Sequence, residues 1–247
     1  MKRLQETKPI WHAVIWIFIY IGLNSIGDTL SDTIGIYKSA TCVLLVLLTA
    51  FLVIYVKKNH WVEYYGLVMP NRQAAKTALY YIPLIIIIPI NFLSGFSLKY
   101  SLIETFLFLL MMLCVGFIEE LIFRGFLLKA IAEKNLKRAI IISSITFGIG
   151  HIVNLFMGAG TIDTFFQMLY AVALGFALTM LVITTKSIIP GIVFHSILNA
   201  LSVVGTIELS QRTEGILTIY VIVVSAIYTF VLILYGIKER KTYMHLE

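Results

Sequence analysis

Apolar residues run for about 20 positions at a time along most of this chain, the length an α-helix needs to cross a bilayer. Eight such stretches can be marked: about Ile10–Ile26, Tyr37–Val56, Thr77–Leu93, Leu102–Leu128, Ala139–Phe156, Ile162–Thr184, Ser187–Val204 and Ile216–Ile237. Only 13% of residues are charged, against about 25% in soluble domains. No polar stretch is long enough to hold a soluble unit, so residues 1–247 read as a single membrane domain. The expected fold is all-α, a polytopic bundle of about eight transmembrane helices around a buried polar site. Pro83 and Pro89 should bend the third stretch. Pro190 falls in the first turn of the seventh, where proline is tolerated.

An even number of spans puts both termini on one side. Of the 19 Lys and Arg residues, only Lys38, Lys99 and Arg212 then fall on the far side, and only Arg124 within a span. This positive-inside bias puts both termini in the cytoplasm of a multi-pass plasma-membrane protein. The loops account for the net charge of +6, and no basic cluster with interleaved aromatics points to nucleic acid. Cys42 and Cys114 lie in apolar runs and read as small buried hydrophobes rather than disulfide partners or metal ligands. The run after Pro9 has no cleavage site and reads as a retained first span.

The polar residues inside the spans carry the chemical information. Glu119, Glu120 and Arg124 follow an unbroken apolar run from Phe106 to Ile118. Facing lipid, three charges cost roughly 8–10 kcal/mol on insertion scales, so they should line the interior of the bundle. Glu120 and Arg124 are four apart and can pair along one helix face, as can His195 and Asn199. Counting a rise of 1.5 Å per residue from the nearest cytoplasmic basic residue, Glu119 lies roughly 15 Å deep, His151 about 20 Å, His195 about 13 Å and Asn199 about 20 Å. Side chains on three helices therefore meet at similar depth, in one polar cavity open to the cytoplasm or sealed near mid-membrane. Asp28, Asp32, Glu104, Asp163, Glu208 and Glu214 sit near the outer boundary and read as solvated. His12, His60 and His245 lie near interfaces, and Trp61, Tyr64 and Tyr65 suit an interfacial loop. Other aromatics read as packing, and Gly148 and Gly150 as sites of close helix approach.

A carboxylate, two imidazoles and a carboxamide suffice for hydrolysis. Glu119 can act as general base toward a water held with the help of His151. His195 and Asn199 can donate to a developing oxyanion, with Glu120 and Arg124 fixing the geometry. The same residues allow a metal scheme, in which Glu119, His151 and His195 form a His/His/carboxylate set with an open position. There is no HExxH motif.

Three motifs then stand out in order: Glu119-Glu120-x-x-x-Arg124 with Gly125 after it, Phe147-x-x-x-His151, and His195-x-x-x-Asn199. They resemble the motifs of the CAAX prenyl protease and bacteriocin-processing family, also called CPBP or Abi. The resemblance runs from about Phe117 to Asn199 within a family-like core of about 101–204; the outer spans are similar only in hydropathy. It implies an intramembrane endopeptidase with Glu119 activating water and His151 as its partner. His195 and Asn199 become the oxyanion or water-binding pair, with Glu120 and Arg124 in support. The family has been described both as metalloproteases and as glutamate-dependent proteases, so the implied cofactor is either one divalent metal such as zinc or none.

The Lys/Ile-rich composition points to a bacterial source. The expected partners are the bilayer and a peptide or small membrane-anchored protein, in bacteriocin or pheromone maturation or in self-immunity, rather than a prenylated protein. Two other readings stand beside this one. A non-catalytic bacteriocin-immunity or binding protein would use the same fold as a shield. A proton-coupled transporter would use the same ionisable groups as a relay, although the chain lacks repeat symmetry.

Overall fold

Inside a bilayer no water is available to backbone amides, so each must pair within its own segment, and apolar runs of this length become helices. The computed structural model describes residues 1–89, 100–203 and 211–244, and these form helices and turns with no strand. In chain order the helices are α1 (Lys2–Thr7), α2 (Pro9–Ile34), α3 (Ser39–Lys58), α4 (Arg72–Thr77), α5 (Ile82–Ile87), α6 (Leu102–Glu120), α7 (Leu128–Ala132), α8 (Leu136–Gly150), α9 (Val153–Phe156), α10 (Thr161–Thr185), α11 (Ile189–Ser202) and α12 (Gln211–Met244). A wide π turn, Leu121–Leu127, joins α6 to α7 in one run of 31 residues. Among the described residues six helical runs are long and apolar enough to cross a membrane. The protein is an all-α, polytopic membrane protein.

Two of the eight expected stretches differ in form. The seventh becomes α11, only 14 residues long. The third breaks after α4, where Leu79, Tyr80 and Tyr81 all have positive φ, and restarts as α5 with Pro83 in its first turn. The Tyr228 hydroxyl of α12 donates to the Ala78 carbonyl at this break, at 2.8 Å. Residues 90–93, with Asn91, lie outside the described residues, as do Lys99, Glu208 and His245.

The distribution of side chains is inverted relative to a soluble protein. Phe18, Leu47, Phe51, Ile54, Ile219 and Phe230 are exposed, while Glu120, Arg124, Ser143, Ser144 and Thr179 are fully buried. At the centre α6 packs against α3 and α11, and α10 packs against α8 and α12. Small residues set these distances. A Cβ at Gly116 would lie 2.6 Å from the Ser196 backbone nitrogen, and one at Gly148 would lie 2.7 Å from that of Val172. Gly150, by contrast, has open space beside it and marks no helix contact. Gly116→Ala therefore pushes α11 off α6. Overpacking of this kind costs about 1–3 kcal/mol, and thermal unfolding in detergent should show a lowered Tm.

The helices alternate in direction, which defines two faces. The amino-terminal face holds the start of α2, the ends of α3, α7 and α10, and the starts of α8 and α11. The far face holds the turn 35–38 and the starts of α6, α10 and α12. The loop after α3 folds over the amino-terminal face. Its Tyr65 is buried against Phe126, Gly66 accepts from the Ile188 amide at 2.8 Å, and Val68 accepts from the Ser187 hydroxyl at 2.6 Å. Tyr64 donates to Glu133 at 2.8 Å; burial and that carboxylate push its hydroxyl up to about 12. Tyr65 is thus a core residue and not the interfacial one that its sequence context suggests.

Asp28 and His12 depart from expectation, while Glu104 stays at the outer boundary. Asp28 is half-buried within the long α2, where it accepts from Thr41 at 2.6 Å and pairs with Lys38 at 2.8 Å. Glu104 caps α6 with Ser101 and accepts the Tyr37 amide at 3.0 Å. His12 is buried between Tyr55 and Trp16, each 3.0 Å from its Nε2.

Candidate active site

The π turn shapes the site before any catalytic group is considered. The Ser143 hydroxyl of α8 donates to the Phe123 carbonyl at 2.8 Å, holding the backbone where the turn widens. Such insertions are found mostly at functional sites. Here the turn carries Arg124, whose Nη1 donates to Glu120 Oε1 at 3.0 Å with both side chains fully buried. Arg124 Nη2 reaches the Gly175 carbonyl of α10 at 3.4 Å, and the guanidinium lies 4.1 Å from the centre of the Phe147 ring. The buried cation is therefore met by a carboxylate, a carbonyl and a π face on three helices.

The same carboxylate oxygen of Glu120 accepts from His195 Nδ1 at 3.1 Å. A carboxylate is an acceptor only, so Nδ1 carries the proton of this bond. That fixes the ring, with Nε2 directed at Glu119 Oε2, 3.6 Å away. Glu119 is the more accessible of the two acids, its side chain 12% exposed against 0% for Glu120. Its other oxygen, Oε1, accepts from the Tyr20 hydroxyl of α2 at 2.7 Å. His151 is held differently. Its Nδ1 lies 3.1 Å from the Phe147 carbonyl, which can only accept, so Nδ1–H is the donor and Nε2 is left to accept. The Phe147 ring stands edge-on to both imidazoles, 5.5 Å from each.

The structure brings Glu119, Glu120, Arg124 and His195 into direct contact. His151 and Asn199 join them as walls of one cavity of about 860 Å³, which Tyr20, Glu119, Phe147 and His195 also line. Asn154, one turn beyond His151, is occupied with Gln167 at 2.8 Å. Ser196 points away and donates to the Leu113 carbonyl at 3.1 Å. Contrary to expectation, the cavity extends toward the far face, where Asp28, Lys38, Asp163 and Glu214 line it.

Tyr20 has a role that the sequence hid. It is an aromatic in an apolar run, where packing is the ordinary function. The only signal for Tyr20 was depth, roughly 17 Å along α2 from Pro9. Hydrogen bonds to charged groups are worth about 1.5–3 kcal/mol. Tyr20→Phe should therefore lower Tm and, with Glu119 as the base, slow turnover by roughly ten- to a hundredfold.

Nδ1 of His151 bonds a carbonyl and Nδ1 of His195 a carboxylate, contacts that also orient a metal-bound imidazole. As the side chains stand, no three His, Cys, Asp or Glu among the described residues form a group able to hold a metal ion.

Residues 101–201 match the sequence model of the family described as Rce1-like, type II CAAX prenyl endopeptidase Rce1-like. The matched segment, 101 of the 247 residues, is similar to the CAAX-protease family. The match takes in α6, the π turn, α7, α8, α9 and α10, and all of α11 but its last residue. No curated protein matches the chain. The matched segment contains Glu119, Glu120, Arg124, Phe147, His151, His195 and Asn199, whereas Tyr20 is supplied by α2 from outside it. The similarity supports a membrane protease of the CAAX type in general terms.

Proposed function

We infer that the protein is an intramembrane endopeptidase in which Glu119 activates water. The observation that carries this reading is the asymmetry of the two acids. Glu120 is fully buried and holds both Arg124 and His195 on Oε1, whereas Glu119 is anchored through Oε1 by Tyr20 and lines the cavity. Neighbouring carboxyl groups in unequal surroundings are suited to unequal tasks.

In this scheme the water hydrogen-bonds to Glu119 Oε2 and to the free Nε2 of His151, which leaves an oxygen lone pair for the substrate carbonyl. As the C–O bond forms, one water proton passes to Glu119. Asn199, one turn beyond His195 on α11, offers its amide N–H to the developing oxyanion. The C–N bond then breaks, and Glu119 returns the proton to the leaving amine. Glu120 acts through His195, holding its Nε2 beside Glu119 and so preserving the position of the base. Arg124 balances the charge of Glu120 and ties it to α10.

The substrate we assign is a peptide or a small membrane-anchored protein, matured as a bacteriocin or pheromone or cleaved in self-immunity. The test is hydrolysis of a quenched peptide library by the purified full-length protein, with Glu119→Ala and His195→Ala alongside. Turnover should be lost in both variants; equal turnover by all three proteins removes the proposal. Metal content measured on the same active preparation decides the cofactor. Full activity at substoichiometric metal is the result that the glutamate scheme requires.

A further inference from the structure

The shape of the cavity carries information about which side of the membrane supplies the substrate. On α2 the lining runs from Ile17 to Asp28, on α10 from Asp163 to Leu178 and on α12 from Glu214 to Val221. On α10 and α12 the lining begins in the first turn at the far face, and on none of the three does it reach the helix end at the amino-terminal face; Glu119 lies at the deep end. The amino-terminal face is closed by the loop that Gly66 and Val68 anchor to the start of α11. A crevice of about 380 Å³ on that face touches none of Glu119, His151 or His195.

The mouth also has a charge. Asp28 is neutralised there by Lys38. Among the described residues Asp163 and Glu214 have no such cation, and their carboxyl groups approach one another at the mouth. Each sits in the first turn of its helix, where the helix dipole favours a carboxylate. The dipole explains each acid alone but not their contact, since two acids so close are eased by a shared proton or a cation. Beside them the Thr164 hydroxyl is buried, 1% exposed, with no hydrogen-bond partner, and its residue lines the same cavity.

We propose that substrate reaches Glu119 from the far face, and that its entering segment carries positive charge, met by Asp163 and Glu214. The inference rests on the hydrolase reading for what the cavity receives. Because the basic residues gather on the amino-terminal face, the far face is the non-cytoplasmic one. The substrate class is then a peptide or membrane-anchored segment already delivered across the membrane, with a Lys or Arg in the part that lies at the mouth, several residues from the scissile bond.

Thiol labelling tests this without any turnover. Met112→Cys and Leu217→Cys, two cavity positions, are placed separately in a Cys42→Ala/Cys114→Ala background, with Lys134→Cys as marker of the amino-terminal face. Each protein is treated with membrane-impermeant methanethiosulfonates in right-side-out and inside-out vesicles. The cavity cysteines should react only in right-side-out vesicles and the marker only in inside-out ones. Reaction of the cavity cysteines from the marker's side, from both sides or from neither overturns the proposal. The charged mouth should favour a trimethylammonium reagent over a sulfonate one by about tenfold after correction for intrinsic reactivity, since a like-charged cleft concentrates counter-ions. Asp163→Asn/Glu214→Gln should bring that ratio toward one; an unchanged ratio overturns the assignment of those two acids. A negative outcome here leaves the peptide-hydrolysis test intact, and a failed hydrolysis test leaves the labelling result intact.

Discussion

Glu119→Gln lowers kcat for any peptide that the wild type cleaves by between about a hundredfold and ten-thousandfold, the usual contribution of a positioned general base. The substitution is chosen because it changes little else. Glutamine has the same shape, and its amide oxygen can still accept from Tyr20, as Oε1 does now at 2.7 Å. The side chain borders the cavity, so no buried charge is left without a partner. KM should therefore stay within about threefold, the pattern expected when an interaction is lost only in the transition state. The neighbouring substitution behaves differently. Glu120→Gln keeps an acceptor for Arg124 and His195 but removes the charge that balances the guanidinium, so Tm should fall along with kcat. Measuring kcat, KM and Tm on both variants separates the acid that reacts from the acid that supports. A Glu119→Gln enzyme with kcat within threefold of wild type removes Glu119 from the chemistry.

How much of this was legible in the chain depends on how far each contact travels in sequence. The helices follow from apolar run length alone, because the bilayer leaves the backbone no other choice. The pairing of Glu120 with Arg124 follows from a spacing of four. The convergence of Glu119 with His195 follows less directly, from matched depths on separate helices, and the contact of His195 with both acids bears on it. Tyr20 could not be found in this way. It lies 99 positions from Glu119, and nothing in an apolar run sets apart a tyrosine that packs from one that donates. The π turn was hidden for a similar reason, since it depends on a Ser143 hydroxyl 20 positions away. The break at Leu79–Tyr81 is a third case. Pro83 predicted a bend, but a reversal of φ over three residues needs a partner for the freed carbonyl, and Tyr228 is 150 positions distant. Long apolar stretches therefore gave the order of the spans, while the break in the third, the shortness of the seventh and the direction in which the cavity opens depended on packing between helices remote in sequence.

Arg124→Met should destabilise the protein by about 3–5 kcal/mol, the cost of stranding one member of a buried ion pair. Glu120 is fully buried and has Arg124 and His195 as its partners on Oε1. Without the guanidinium its charge is left to a single imidazole, and the Phe147 ring and Gly175 carbonyl lose the group that now links α6 to α8 and α10. The informative comparison is the double variant Glu120→Leu/Arg124→Met. Replacing both members of a buried pair with apolar groups of similar volume is often neutral or even stabilising, so Tm should return most of the way to the wild-type value. Activity should not return with it. Leucine cannot accept from His195 Nδ1, the ring is free to turn, and Nε2 no longer stands beside Glu119. Recovery of stability without recovery of turnover would assign the pair to positioning of the site. Recovery of both would reduce it to a helix tether, and recovery of neither would mean that Arg124 acts through the Gly175 and Phe147 contacts more than through Glu120. The three outcomes are separated by a melting curve and a turnover number on the same preparation.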